Sequence, residues 1–286
     1  WSPERLRSHN YVGDLLAATQ SVVAAAGGIS TLAKLHEHDR SLRLFDACQS
    51  PHRIAQVLYH SSHERMVPTA SLDAVQQHCA RTNIDAICSI DESIQTVRVK
   101  RRLRSQPKIS VIMPTRGTTE DLKGNQVVLA ANAIKTLIDK STYQNFDVIA
   151  VLDSDTPSEG RQAIITAGGN RLKIVDYDRP FNFAEKINLG AVCSDSELLL
   201  LLNDDTEIIS PDALETLASI LEDPSVAMAG PMLLYEDFAI QSAGHILNPV
   251  PIDLYRGHSS TLSGAQNILK VQRETSGIIA ACVLVK

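Results

Sequence analysis

Residues 203–207 read Asn-Asp-Asp-Thr-Glu and follow five consecutive leucines, 198–202. An unbroken apolar run of that length fits a strand covered on both faces. It delivers Asp204 and Asp205 to a strand end, where adjacent carboxylates repel and lose hydration unless a cation offsets them. Hard divalent ions such as Mg2+ or Mn2+ take oxygen ligands and bridge carboxylates to phosphates. Three other apolar runs also end in polar groups: Pro114-Thr115-Arg116 after residues 109–113, Asp153-Ser154-Asp155 after 147–152, and Asp176-Tyr177-Asp178-Arg179 after 172–175. Ligands of open parallel sheets bind beyond the carboxyl ends of the strands, so these clusters define one candidate rim. An aspartate after a strand also serves as turn former or helix cap, and Asp155, Asp176 and Asp212 read that way.

The segments that must hold this rim alternate between strand and helix from Lys108 onward, which predicts a mostly parallel sheet flanked by helices. The four runs are the strands, the first stopped by Pro114. Asn182 with Glu185 forms a capping-box pattern, and Phe183, Ile187 and Ala191 share a helical face behind it. Ser210-Pro211-Asp212 starts another helix, with Leu214, Leu217, Ala218 and Leu221 at helical spacing. After Gly230 the alternation gives way to a loop-rich stretch, where His245 and His258 read as solvated loop histidines. Before Lys108 the chain reads as helical over residues 11–26, 30–47 and 72–81, with 94–104 a linker or edge strand. A boundary near Gln106 divides residues 1–106 from 107–286.

Composition narrows the choice. The chain has 286 residues and is 44% hydrophobic, enough to fill a core, with few aromatic rings for stacking bases. A net charge of −6 gives no general footprint for nucleic acid. The basic run VKRRLR, residues 99–104, reads as a solvated connector, with attraction to an anionic membrane face as its other use. Five scattered cysteines form no C-x-x-C pair, which fits a reducing, cytosolic setting. The apolar runs fall short of the ~20 residues a membrane span needs. No phosphate-binding P-loop or G-x-G-x-x-G motif is present.

The segments PKISVIMPTRG, FDVIAVLDSDT, RPFNFAEKINLGA, LLLLLNDDTEIISPDALETL, IQSAGHI and SGIIAACVLVK, in that order, resemble glycosyltransferase family 2, the inverting enzymes of the GT-A fold. The resemblance covers residues 107–286. It implies a Rossmann-like α/β domain that binds a nucleotide-diphosphate sugar. Pro114, Thr115 and Asp153 would line the nucleoside, with Arg116 and Lys186 near the diphosphate. Asn203 stands first in the D-x-D-like triplet, Asp204 would face ribose or sugar among the catalytic groups, and Asp205 would hold Mg2+ or Mn2+. The implied reaction is inverting, hexosyl-type transfer from a UDP- or dTDP-sugar to a saccharide or lipid-linked saccharide. Its setting would be bacterial surface polysaccharide such as O-antigen, in the cytoplasm at the inner membrane face, with peripheral membrane association.

In this family the general base lies beyond the segment resembling SGIIAACVLVK. The amino-terminal pieces SHNYVGDLLAATQSVVAAAGG, HEHDRSLRL and RIAQVLYH resemble the end of a preceding domain of the same kind. On that alignment Glu37 takes the place of the base, while Asp39 and Arg43 take those of the structural acid and arginine after it. An amphipathic charged helix is the competing reading. A tandem enzyme, of which residues 107–286 are a truncated second domain, is favoured over a permuted single domain.

Three other classes compete. Haloacid-dehalogenase-like phosphatases also place D-x-D and D-D at strand ends, but Pro157 breaks their pattern. Sugar nucleotidyltransferases need a Gly-rich loop that PTRGTTED is not. A non-catalytic nucleotide-sugar-binding module shares every feature except turnover.

Overall fold

The structure is a computed structural model that describes every residue except 14, 55, 57–70 and 123. Two compact units partition the chain. One comprises Trp1–Arg102, Leu234–Ala243 and Asp253–Ser276; the other comprises Leu103–Leu233, Gly244–Ile252 and Gly277–Lys286.

The first unit carries helices α1 (Pro3–Ser8), α2 (Gln20–Ala25), α3 (Ile29–Leu32), α4 (Glu37–Asp46) and α5 (Leu72–Arg81), then strands β1 (Ala86–Asp91) and β2 (Thr96–Arg101). The periodicity over 72–81 matches α5, capped by the Ser71 hydroxyl. Two expectations fail. The helix over 11–26 shrinks to α2, because Gly13 adopts φ +85 and Thr19 caps a new start. The helix over 30–47 splits at 33–36, where the His36 ring accepts from the His38 amide and begins α4. The strand alternative for 94–104 holds over Thr96–Arg101, which takes in the first half of the basic run: β2 pairs antiparallel with β1 through Asp91↔Thr96, so Val97 and Val99 turn inward while Arg98 and Lys100 face out. The sequence reading missed β1 altogether. Residues 57–60, the V-L-Y-H close, lie outside the described residues.

The second unit opens with β3 (Ile109–Thr115), β4 (Thr119–Leu122), β5 (Asn125–Val128), α6 (Leu129–Lys140), β6 (Phe146–Asp153), α7 (Ser158–Gly168), β7 (Leu172–Tyr177), α8 (Phe183–Val192), β8 (Leu198–Leu202), α9 (Ala213–Leu221) and β9 (Met228–Ala229). Further along the chain, β10 (Leu233–Leu234) and β13 (Pro251–Asp253) straddle the division and β11 (Ile240–Ser242) belongs to the first unit, while β12 (His245–Leu247) and β14 (Cys282–Val285) belong to the second. The main sheet has the order β7-β6-β3-β8-β14-β9. The first four strands run parallel, and β14 inserts antiparallel between β8 and β9.

Successive residues of each central strand enter opposite layers. Val111, Met113, Val148, Ala150, Leu152, Leu200 and Leu202 pack with Ile134 and Leu137 of α6, Ile164 of α7 and Leu214 and Leu217 of α9. Ile112, Ile149 and Val151 form the second layer with Ile187 and Leu189 of α8. Such burial contributes roughly 25 cal/mol per Å2 of apolar surface removed from water. Pro114 does not stop β3. The ladder to β8 ends at Ile112, so the amide that proline lacks falls beyond it, and pairing with β6 continues to Thr115↔Leu152.

The inner face of α8 also differs from the expected one. Lys186 and Gly190 are its buried residues, whereas Phe183 stays exposed. A Cβ on Gly190 would stand 2.5 Å from Ile112 Cγ2, so the missing side chain lets the helix approach the sheet.

Candidate functional site

The carboxyl ends of β3, β6, β7 and β8 bring four polar clusters to one rim, all within the second unit. After β3, the Thr115 hydroxyl donates to Asp204 Oδ2 at 2.5 Å and accepts from the Gly117 amide at 2.9 Å. Gly117 adopts φ +67, and a Cβ there would lie 2.6 Å from Thr156 Cγ2. The turn after β3 therefore nests against the turn after β6, and Arg116 projects into solvent between them with 63% of its side chain exposed.

Asp153, the last residue of β6, is buried. Its Oδ1 pairs with Lys186 Nζ at 2.7 Å, and its Oδ2 faces Arg116 Nε at 3.4 Å. The Lys186 ammonium also donates to the Thr115 carbonyl at 2.8 Å. Its Nζ lies 5.5 Å from the Tyr177 ring centroid and 5.2 Å from that of Phe181. A continuous polar chain thus links Asp204, Thr115, Lys186, Asp153 and Arg116.

Tyr177 supports this chain, and sequence reasoning gave it no role. Its carbonyl accepts from the Ser154 amide at 2.9 Å, and its hydroxyl donates to Glu185 Oε2 at 2.8 Å. Burial, with the Glu185 carboxylate beside it, pushes the phenol up. Asn182 caps α8 by accepting from the Glu185 amide at 3.2 Å. A tyrosine two residues past an apolar run and six before the first residue of α8 was the available signal. Asp176 pairs with Arg161 at 2.7 Å, as befits a residue outside the rim's chemistry.

The turn after β8 is fastened on three sides. The Asn203 amide donates to Ala281 O at 2.9 Å, the Thr206 hydroxyl closes back on Asn203 O at 2.8 Å, and Glu207 pairs with Lys140 at 2.7 Å. Asp204 and Asp205 remain presented, the first half-buried and the second exposed. Loss of hydration pushes the Asp204 carboxyl up; the Thr115 hydrogen bond opposes that and the Asp205 charge adds to it. This is the electrostatic condition that a divalent cation relieves. Among the described residues no group of three or more His, Cys, Asp or Glu is gathered to hold a metal. Two carboxylates fit an Mg2+-type ion that fills its remaining positions with water and substrate phosphates.

Glu37 sits in the first turn of α4, in the other unit. In the same helix Asp39 Oδ1 accepts from Arg43 Nε at 3.0 Å, an i,i+4 pair.

A helix-covered, mostly parallel sheet with its polar groups at the strand ends defines a GT-A-type α/β domain. The sequence profile of "Glycosyl transferase family 2" matches residues 110–282, and the chain belongs to that family. It is 30% identical over 259 residues to the O-antigen biosynthesis protein RfbC of Myxococcus xanthus, covering 86% of this chain and 20% of the relative. It is 26% identical to the uncharacterised protein y4gI of Sinorhizobium fredii, covering 100% of this chain and 33% of the relative. The chain thus spans a third or less of the curated relatives it matches. Among solved structures, the mannosyltransferase PcManGT from Pyrobaculum calidifontis, in complex with GDP-Man and Mn2+, is similar over 46% of this chain and 37% of its own. The identity is 18% and the TM-score 0.39. The family match removes the ground for the phosphatase and nucleotidyltransferase readings. No helix among the described residues is long and apolar enough to cross a membrane.

Proposed function

We propose that residues 107–286 form the donor-binding part of a metal-dependent glycosyltransferase that uses a UDP- or dTDP-sugar. The polar chain from Asp204 through Thr115 and Lys186 to Asp153 supports this reading, because it orders donors and acceptors along a rim built for a nucleotide. Asp153 and Thr115 take the nucleoside end, Arg116 the diphosphate, and Asp204 the ribose or sugar. Asp205, with Asp204, would hold Mg2+ or Mn2+. When bound, that ion supplies Lewis-acid neutralisation of the departing diphosphate. Orientation of the sugar by Asp204 and exclusion of water by the rim are this chain's own contributions. Transfer proceeds with inversion, by attack of an acceptor hydroxyl on the face opposite the diphosphate.

The similarity to RfbC supports bacterial surface polysaccharide, O-antigen included, as the destination, with a saccharide or lipid-linked saccharide acceptor at the cytoplasmic membrane face. Glu37 is proposed as the base of a preceding domain in a tandem enzyme rather than as the partner of Asp205. Calorimetry of UDP, dTDP and GDP with and without Mn2+ tests the donor reading. Mn2+-strengthened binding of at least one is expected, and binding of none in either condition overturns it.

A further inference from the structure

Lys186 was expected near the diphosphate, yet its side chain is fully enclosed. A buried ammonium is costly unless its charge is offset, and here one hydrogen bond, one ion pair and two aromatic rings surround it. The Thr115 carbonyl lies at 2.8 Å, Asp153 Oδ1 at 2.7 Å, and the faces of Tyr177 and Phe181 cover the rest. An ammonium so enclosed is out of a phosphate's reach. Arg116, by contrast, is largely exposed and opposes the other oxygen of Asp153.

We propose that Lys186 is a positioning residue that clamps the end of β3 to the end of β6 from beneath the rim and leaves the diphosphate to Arg116. Lysine suits this place because its point charge and flexible stem reach through a helix–sheet contact that Gly190 makes unusually close. The clamp fixes which oxygen of Asp153 faces the ligand: Oδ1 is held, so Oδ2 is presented. It also holds the Thr115 backbone while the Thr115 hydroxyl orients Asp204. One ammonium thereby sets the spacing between the nucleoside end and the carboxylate turn.

The inference rests on the donor-binding reading above. Its test uses the 286-residue chain as wild type, Lys186→Met, Lys186→Arg, Asp153→Asn and the double variant Lys186→Met/Asp153→Asn. Uridine, thymidine and guanosine are titrated beside UDP, dTDP and GDP. For the pair that wild type binds, Lys186→Met should weaken nucleoside and diphosphate alike, each at least tenfold and by factors within threefold of one another. A tenfold greater loss for the diphosphate would assign Lys186 to phosphate and overturn the proposal, as would no loss in either. Lys186→Arg should bind at least tenfold better than Lys186→Met; equality would reduce the residue to packing.

Melting provides a readout independent of ligand. Each single variant should lower the midpoint, and the double variant should melt no lower than the worse single, because both charges leave together. Additive losses overturn the clamp. Should wild type bind no nucleoside diphosphate, the donor reading falls and this coupling alone judges the clamp.

Discussion

The hydroxyl of Thr115 donates to Asp204 Oδ2 at 2.5 Å, joining the end of one parallel strand to the carboxylate turn of its neighbour. The same oxygen accepts from the Gly117 amide, so one side chain orders both its own turn and the next strand's. Thr115→Val keeps the shape and removes both hydrogen bonds. A stability loss of about 1–3 kcal/mol is expected, because Asp204 Oδ2 and the Gly117 amide lose their shared partner. The urea midpoint measures it, and an unchanged midpoint would show the contact to be incidental.

Asp204 carries the opposite expectation for stability and for function. Its carboxyl is pushed above the ordinary value of 3.8 by lost hydration and by Asp205, so folding favours the protonated form. That contribution is fully present below the unfolded value and lost as pH rises through the folded one. At pH 7 the charged group therefore works against the fold. Asp204→Asn should raise unliganded stability by ~0.5–2 kcal/mol while abolishing metal-strengthened nucleotide binding. Mn2+ affinity of the wild type should also fall on acidification at a higher pH than an ordinary aspartate would give. Scanning calorimetry and Mn2+ titrations from pH 4 to 7 read both effects.

Asp205 is exposed and makes the plainer test. Asp205→Asn should leave melting nearly unchanged and weaken Mn2+-dependent nucleotide binding at least about tenfold, ~1.4 kcal/mol. Nucleotide binding without metal should be unaffected. Equal losses with and without Mn2+ would place Asp205 outside the metal's reach.

Gly190→Ala tests the close approach of α8. The added methyl would meet Ile112 Cγ2 at 2.5 Å and Val151 Cγ2 at 3.2 Å. Overpacking of this kind costs about 1–3 kcal/mol. The melting midpoint should fall, and nucleoside affinity should fall with it because the helix carries Lys186. A rise in melting would mean the site holds an unfilled space.

Strand β8 and helix α9 were readable because their signals are local: five leucines between polar neighbours, and a Pro-Asp start followed by apolar residues at helical spacing. Asp204 and Asp205 were readable for the same reason. The burial of Lys186 was not. Pattern reasoning puts lysine on the solvated face of a helix, and only the carbonyl of Thr115 and the carboxylate of Asp153 make an inward ammonium tolerable. Both lie far away in sequence. Pro114 misled in the opposite direction, since a proline inside a strand is tolerated only where a neighbour's ladder has ended, which no local pattern reveals. Gly13, at positive φ, and the His36 cap broke helices that Ala and Leu content favours, because local turn and cap geometry overrode propensity.

Residues 282–285 form a strand between β8 and β9, and the amide of Asn203 hangs from Ala281. A nascent chain that has emerged only as far as its carboxylate turn thus holds β8 with a bare flank and no anchor for Asn203. Some eighty residues must leave the ribosome before that flank is covered. Until then the unpaired backbone edge of β8 is open to chaperones and to mispairing, so the same run that delivers the aspartates sets the hazard of making them.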